Sequence, residues 1–197
     1  MGYSVPLHQR ITLRPGDHRA TTDATVLSTL LGSCVAACLY DANSGVAGLN
    51  HFLLASPRYS RTMPLTHTDA GRYGIMAMEL LINDMVHLGA ERKRLKAKVF
   101  GGASVIKKET GIHDNFLCVN EVNQRFIREY LKTENIPIVA EDLGGQIGRV
   151  VYFHTDTFKV MRRYIQSSSL VQIEEKEHRY WKKHIEKPEE GEITLFD

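Results

Sequence analysis

The two residues best suited to covalent chemistry in this sequence are a cysteine and a histidine seventeen positions apart. Cys34 follows a Leu-Leu-Gly-Ser segment, and His51 lies inside the apolar stretch GLNHFLL. A cysteine directly after a turn can be exposed at the end of a sheet, where a neighbouring histidine takes its proton to form the nucleophilic thiolate. Free cysteine is also among the most frequently buried residue types, and a histidine in an apolar stretch can be a hydrogen-bonded core residue. Spacing alone therefore leaves both interpretations open.

The other cysteines, Cys38 and Cys118, lie within apolar runs and are expected to be buried hydrophobic residues. Cys34 and Cys38 do not have the usual zinc-ligand spacing, and no paired Cys/His cluster follows them, so we expect no metal site. Three cysteines cannot form a complete disulfide framework. Free thiols favour a cytoplasmic location.

The composition excludes several classes of protein. The chain has 197 residues, 43% hydrophobic and 24% charged, which is typical of a globular domain with a sizeable core. Its net charge of +2 is small and its charges are mixed, which argues against a nucleic-acid binder. No apolar run approaches the ~20 residues of a membrane span, and the N-terminus lacks the apolar core of a secretion signal.

Two glycine pairs suggest nucleotide binding, but their contexts do not support it. FGGAS lacks the Lys-Ser/Thr ending of a phosphate loop, and LGGQIGR precedes a strand pattern instead of opening a helix. We therefore expect both pairs to be turns in which glycine permits a positive φ.

The hydrophobic pattern predicts an α+β fold, a layered sandwich of mixed, mostly antiparallel β-sheet with two main helices packed on one side. Short Val- and Leu-rich runs (TVLSTLL, CVAACLYD, VAGLNHFLLA) predict a sheet near the N-terminus, with Cys34 at the start of one strand and His51 within its neighbour. Apolar residues recur at helical spacing from Tyr73 to a predicted stop at Gly89, with Asp69 as a candidate cap. The same spacing in VNQRFIREYLKTEN predicts a second helix. LKAKVFGG, IPIVAEDLGG and RVVYFHTDTFKVMRRY predict further strands.

The C-terminal residues differ in composition from the rest of the chain. We expect one domain over residues 1–167, followed over 168–197 by a charged helix and a mobile tail. The helix carries one apolar stripe, which favours docking on its own domain over binding a partner.

Several longer motifs show a resemblance to the chemoreceptor glutamine deamidase family, CheD. They are LGSCV with a histidine seventeen residues after the cysteine, RLKAKVFGGA, and EDLGGQIGR. The resemblance covers roughly residues 10–163, and it implies the same fold class, related to the cysteine deamidase toxins.

The resemblance also implies a cysteine hydrolase with a Cys–His–Thr arrangement that needs no cofactor. Cys34 matches the nucleophile and His51 its base, and the position six before the cysteine is Ser28, where the family commonly has threonine. Serine keeps the hydroxyl that orients the imidazole. Thr29 is adjacent, but alternation along a strand points it to the opposite face. The backbone N–H groups of Ser33 and Cys34 are candidates for the oxyanion hole.

The implied substrates are glutamines on the cytoplasmic helical region of chemotaxis receptors. The reaction converts them to glutamate with release of ammonia. The alternative is a non-catalytic regulatory module that binds a CheC-type chemotaxis phosphatase. One element departs from the family: VNEVNQRF stands where a Gly-x-Arg-Asn pattern is usual. Asn123 keeps the asparagine position, whereas Asn120 and Val122 replace the glycine and the arginine.

Overall fold

The computed structural model describes residues 10–54, 69–104, 119–165, 175 and 179–180. In order along the chain, the strands and helices in this part are β1 (Arg10–Leu13), β2 (His18–Thr21), β3 (Val26–Leu31), β4 (Val35–Asp41), β5 (Val46–Asn50), α1 (Asp69–His87), β6 (Lys96–Gly101), α2 (Val119–Thr133), β7 (Ile138–Leu143), β8 (Arg149–His154) and β9 (Val160–Tyr164).

The strands form two mixed sheets. One has the order β1-β3-β8-β9 and the other the order β2-β5-β4-β6-β7. The β1–β3 and β6–β7 pairs are parallel, and the other pairs are antiparallel. The α+β class is confirmed. The predicted N-terminal sheet differs in one respect, because its first run joins one sheet as β3 while the next two join the other sheet as β4 and β5.

The core has two apolar layers, because the five-stranded sheet is covered on both faces. Between the sheets, side chains of β3 and β8 meet those of β4 and β5; this layer includes Leu27, Leu31, Cys34, Ala36, Cys38, Leu49, Leu53, Val151 and Phe153. On the other face the two helices pack against the alternate residues; this layer includes Val35, Ala37, Leu39, Val99, Met78, Leu81, Ile82 and Phe126. Both helices therefore lie on one side, as predicted.

The helices follow their apolar periodicity. The stop predicted for α1 is confirmed, because Gly89 has a φ of +101°, which only glycine adopts without strain. The buried face of α2 recurs at three- and four-residue intervals; its members are Val119, Val122, Asn123, Phe126, Ile127, Tyr130 and Leu131. Neither described helix is long and apolar enough to cross a membrane.

Some predictions fall outside the described residues. Cys118 and most of the predicted C-terminal helix and tail are among them. Residues 175, 179 and 180 of that predicted helix are described, and they are helical.

Candidate active site

The β4–β5 hairpin brings Cys34 and His51 together. The register pairs Cys38 with Leu49 and continues beyond β5 to Val35 and Phe52, which exchange backbone hydrogen bonds of 3.0 and 2.9 Å. Cys34 directly precedes Val35, and His51 directly precedes Phe52. Successive side chains alternate between faces, so Cys34 and His51 are diagonal neighbours that both face the inter-sheet layer. His51 thus lies just past the end of β5, not within it.

The backbone at Cys34 is held by the first glycine pair. The Cys34 carbonyl accepts a hydrogen bond of 2.7 Å from the Gly102 N–H, and the Gly32 carbonyl accepts one of 2.8 Å from the Ala103 N–H. Gly101 has a φ of +111°, and a Cβ there would overlap the Cys34 carbonyl oxygen. The FGGA motif therefore supports the backbone at Cys34.

The second glycine pair is a turn fixed by a buried arginine. Gly144 and Gly145 have φ values of +84° and +79°, which confirms the predicted use of glycine. The Arg149 guanidinium, 1% exposed, donates hydrogen bonds to the Asp142 and Gly144 carbonyls and pairs with the Asp142 carboxylate at 2.9 Å. The Gly145 carbonyl accepts a hydrogen bond of 2.8 Å from the Ser104 N–H, which ties this turn to the FGGA segment.

A buried asparagine joins the two halves of the site. Asn123 on α2 is fully buried; its side-chain amide donates to the Ser33 carbonyl at 2.9 Å, and its Oδ1 accepts from the Leu54 N–H at 2.7 Å. One side chain thereby fixes the turn before Cys34 relative to the segment after His51. Asn123 was not among the predicted site residues. The one sequence signal for its role is that it is a polar residue in the buried stripe of a helix, since a buried polar side chain requires hydrogen-bond partners.

The His51 ring is oriented by Thr29. The Thr29 hydroxyl lies 2.7 Å from His51 Nδ1 and donates to the Leu13 carbonyl at 2.9 Å. Because a hydroxyl has one proton, Thr29 then accepts from His51, and Nδ1 carries the imidazole proton. His51 Nε2 is left as the basic nitrogen. It is buried and has no hydrogen-bond partner among the described residues.

The prediction that Ser28 orients the imidazole is wrong in this structure. Ser28 Oγ lies 2.9 Å from Thr12 Oγ1 and 3.4 Å from the Ile11 carbonyl, both on β1. Alternation does place Ser28 and Thr29 on opposite faces of β3, as expected. The face toward His51 is the one shared by Leu27, Thr29 and Leu31, and Ser28 lies on the other.

Burial sets the charge state of the site. His51 is 2% exposed, and burial lowers the pKa of its imidazole to about 3, so the ring is neutral at pH 7. Cys38 is fully enclosed in the middle of β4, and burial raises the pKa of its thiol well above its usual range. Cys38 therefore stays a protonated core thiol, and the imidazole of His51, the diagonal neighbour of Cys34, is neutral.

The buried imidazole predicts a pH dependence of stability. Unfolded His51 binds a proton below about pH 6.5, but folded His51 does not do so until about pH 3. The unfolded state then binds more protons, and the free energy of unfolding falls with decreasing pH by up to about 1.4 kcal/mol per pH unit. Urea denaturation at pH 6 and pH 5 measures this change. We expect a smaller fall for His51→Gln than for wild type, and equal falls would contradict the assignment.

A cavity opens beside the histidine. It has a volume of about 150 Å³ and lies between α1, the β1–β2 turn and the end of β5. Its lining residues include Gly16, His51, Tyr73, Met76 and Leu80. His51 is therefore among the residues that line this cavity.

Comparison with known proteins identifies the family. Residues 54–164 match the sequence profile of CheD, described as CheD chemotactic sensory transduction. The chain is 49% identical over 185 residues to the probable chemoreceptor glutamine deamidase CheD 1 of Geobacter sulfurreducens, covering 91% of this chain and 92% of the relative. It is 43% identical to CheD 2 of Shewanella oneidensis, covering 87% of this chain and 85% of the relative.

Solved structures give weaker matches. YfiH of Bacillus licheniformis matches with a TM-score of 0.36 and 16% identity, covering 64% of this chain and 49% of that one. YlmD of Geobacillus stearothermophilus matches with a TM-score of 0.37 and 15% identity, covering 65% and 50%. The sequence matches are the informative ones, and they show that the chain belongs to the CheD family.

Proposed function

We propose that this protein is a protein-glutamine deamidase that converts glutamine side chains of chemotaxis receptors to glutamate. The observation that carries the proposal is the Thr29–His51 hydrogen bond, because it places the imidazole proton on Nδ1 and leaves Nε2 as the basic nitrogen of the diagonal neighbour of Cys34. The names of the Geobacter and Shewanella relatives support the substrate class.

The first half of the reaction forms a thioester. His51 Nε2 takes the proton of the Cys34 thiol, and the sulfur attacks the carboxamide carbon of the substrate glutamine. Thr29 stabilises the imidazolium, because its hydroxyl oxygen accepts a hydrogen bond from the Nδ1–H group. His51 then gives its proton to the amide nitrogen, the carbon–nitrogen bond breaks, and ammonia leaves.

The second half of the reaction hydrolyses the thioester. His51 removes a proton from a water molecule, whose oxygen attacks the thioester carbon. The carbon–sulfur bond then breaks, and the Cys34 sulfur recovers its proton from His51. The balance is one glutamine and one water consumed, with one glutamate and one ammonia produced.

The oxyanion formed in both halves needs hydrogen-bond donors. The Val35 N–H is committed to the Phe52 carbonyl at 3.0 Å. We propose the backbone N–H groups of Ser33 and Cys34 as the donors to the oxyanion, because they adjoin the attacking sulfur. The Asn123 and Gly102 contacts fix this turn, so its amides keep their direction during the reaction.

The orienting role of Thr29 predicts a contrast between two adjacent residues. Thr29→Val keeps the side-chain shape but removes the hydroxyl, and we expect kcat to fall by about 10- to 100-fold, the effect of one hydrogen bond to a charged group. Thr29→Ser retains the hydroxyl and should keep most of the activity. Ser28→Ala, the matched control, should change kcat by less than about twofold, since it removes only a contact to β1.

Ammonia release from a receptor fragment measures all three variants, with thermal melting to confirm that they fold. A large loss in Ser28→Ala with none in Thr29→Val would contradict the assignment of Thr29 and restore Ser28.

The setting of the reaction follows from its substrate. Receptor glutamines that CheD-type enzymes modify lie on cytoplasmic helices, so we propose a cytoplasmic enzyme that works beside the membrane. Conversion of amide to carboxylate adds negative charge to a helix surface, which changes its packing against neighbouring helices. Binding of a CheC-type phosphatase stays a prediction from the family resemblance.

A further inference from the structure

The site is closed in this structure although its proposed substrate is a side chain of another protein. Cys34 is 0% exposed and His51 is 2% exposed. A glutamine carboxamide cannot reach the sulfur without displacement of the groups that cover it. The side chains around the site therefore include one that must move before the reaction.

Tyr180 is placed to be that side chain. It is half-buried, and it packs against the inter-sheet layer that contains Cys34. Its hydroxyl lies 2.5 Å from the Tyr73 hydroxyl, and Tyr73 lines the cavity beside His51. The same hydroxyl lies 2.5 Å from the position of a Cβ on Gly16, so only glycine permits this approach.

These contacts connect Tyr180 to the proposed base through Gly16. Gly16, which Tyr180 touches, donates its N–H to the His51 carbonyl at 2.8 Å. Burial, the hydrogen bond to Tyr73 and the negative charge of an ionised Cys34 each raise the pKa of Tyr180, so its hydroxyl stays protonated and hydrogen-bonded. Tyr180 thus contacts two residues of the cavity rim and lies within electrostatic reach of the nucleophile.

We propose that Tyr180 is an autoinhibitory side chain, whose ring closes the approach to Cys34 and His51 until an incoming substrate displaces it. The segment that carries it lies beyond residues 54–164, where the CheD profile matches. The ring is only half-buried, and the hydroxyl bond that joins it to Tyr73 is a bond between two neutral groups. Both features favour displacement by an incoming receptor helix.

Alkylation of the cysteines in the full-length protein tests this directly. Iodoacetamide is added, samples are quenched over time, and peptide mass spectrometry gives separate rates for Cys34 and Cys38. In Tyr180→Ala the Cys34 rate should rise at least about tenfold, the factor that 1.4 kcal/mol represents. The Cys38 rate should not change, because Cys38 lies in the middle of β4.

Two further variants separate closure from general loosening. Tyr180→Phe keeps the ring but loses the hydroxyl bond to Tyr73, and the Cys34 rate should rise by about fivefold, as expected for one neutral hydrogen bond. Arg179→Ala changes the exposed neighbouring residue and should leave the Cys34 rate at the wild-type value. Either an unchanged Cys34 rate in Tyr180→Ala or an equal rise at Cys34 and Cys38 would overturn the proposal.

Turnover gives a second readout, and only this readout rests on the proposed function. Tyr180→Ala should raise kcat/KM for a receptor fragment, since less of the enzyme is closed. Faster alkylation combined with slower turnover would assign Tyr180 to substrate contacts and overturn the inhibitory role. Absence of turnover in wild type would count against the deamidase proposal and leave the alkylation result intact.

Discussion

Replacement of Cys34 by alanine is expected to abolish glutamine deamidation. Without the sulfur no thioester forms, and the remaining groups cannot activate water against a carboxamide. We expect kcat/KM to fall by at least about 10³-fold, toward the residual effect of binding and the oxyanion donors alone. The fold should persist, because the site backbone is held by Gly102 and Asn123, whose contacts do not use the thiol.

Cys38→Ala is the matched control. It removes a second thiol of the same inter-sheet layer, but one whose raised pKa keeps it protonated. We expect full turnover and a loss of stability of about 1 kcal/mol from the smaller side chain. Liquid chromatography with mass detection of substrate peptides measures both variants. Full activity in Cys34→Ala, or its loss in a folded Cys38→Ala, would contradict the assignment of the nucleophile.

Replacement of His51 by glutamine is expected to have the next largest effect. Glutamine can still bond to the Thr29 hydroxyl, but it cannot take the thiol proton or protonate the departing ammonia. General acid–base catalysis contributes about 10²- to 10⁴-fold, and we expect a loss of that size.

The pH dependence of the residual activity identifies the lost role. In the proposed mechanism His51 is the base, and its lowered pKa keeps the ring neutral across the neutral range. In His51→Gln the thiol must ionise without help, so the residual rate should rise between about pH 7 and pH 9 as the thiolate fraction grows. A residual rate that is flat over this range would show that His51 does not act on the thiol.

The helices and the hairpin were predictable because their signals are local. Helical spacing ends at Gly89, and the segment DANSG (residues 41–45), which joins β4 to β5, is rich in residues that favour turns. The division into two sheets was not predictable, because β3 pairs with β8, which lies far along the chain. The short Gly-Ser turn before Cys34 is compatible with a hairpin or with a change of sheet.

The same non-local pairing explains the error at Ser28. Leu27 and Leu31 flank Thr29 on one face of β3, and Val26 and Leu30 flank Ser28 on the other. Both faces are therefore apolar, and alternation alone does not distinguish them. Only the position of β3 opposite the β4–β5 hairpin selects the face of Thr29.

Tyr180 illustrates a further limit of the sequence. The apolar stripe of the predicted C-terminal helix favoured docking on its own domain, and Tyr180 does pack against the inter-sheet layer. The sequence pattern around Tyr180 carries no signal for its hydrogen bond to Tyr73, which lines the cavity beside His51. These positions lie more than 100 residues apart in the chain, so only the tertiary structure brings them together.

The most direct test of the account is mass spectrometry of a receptor cytoplasmic fragment after incubation with the wild-type enzyme. In water enriched in oxygen-18, the account predicts conversion of specific glutamines to glutamates that carry one heavy oxygen, since water hydrolyses the thioester. Cys34→Ala should leave the same peptides unchanged. Peptides unchanged by wild type in every receptor fragment tested would contradict the deamidase proposal and favour a module that binds a CheC-type phosphatase.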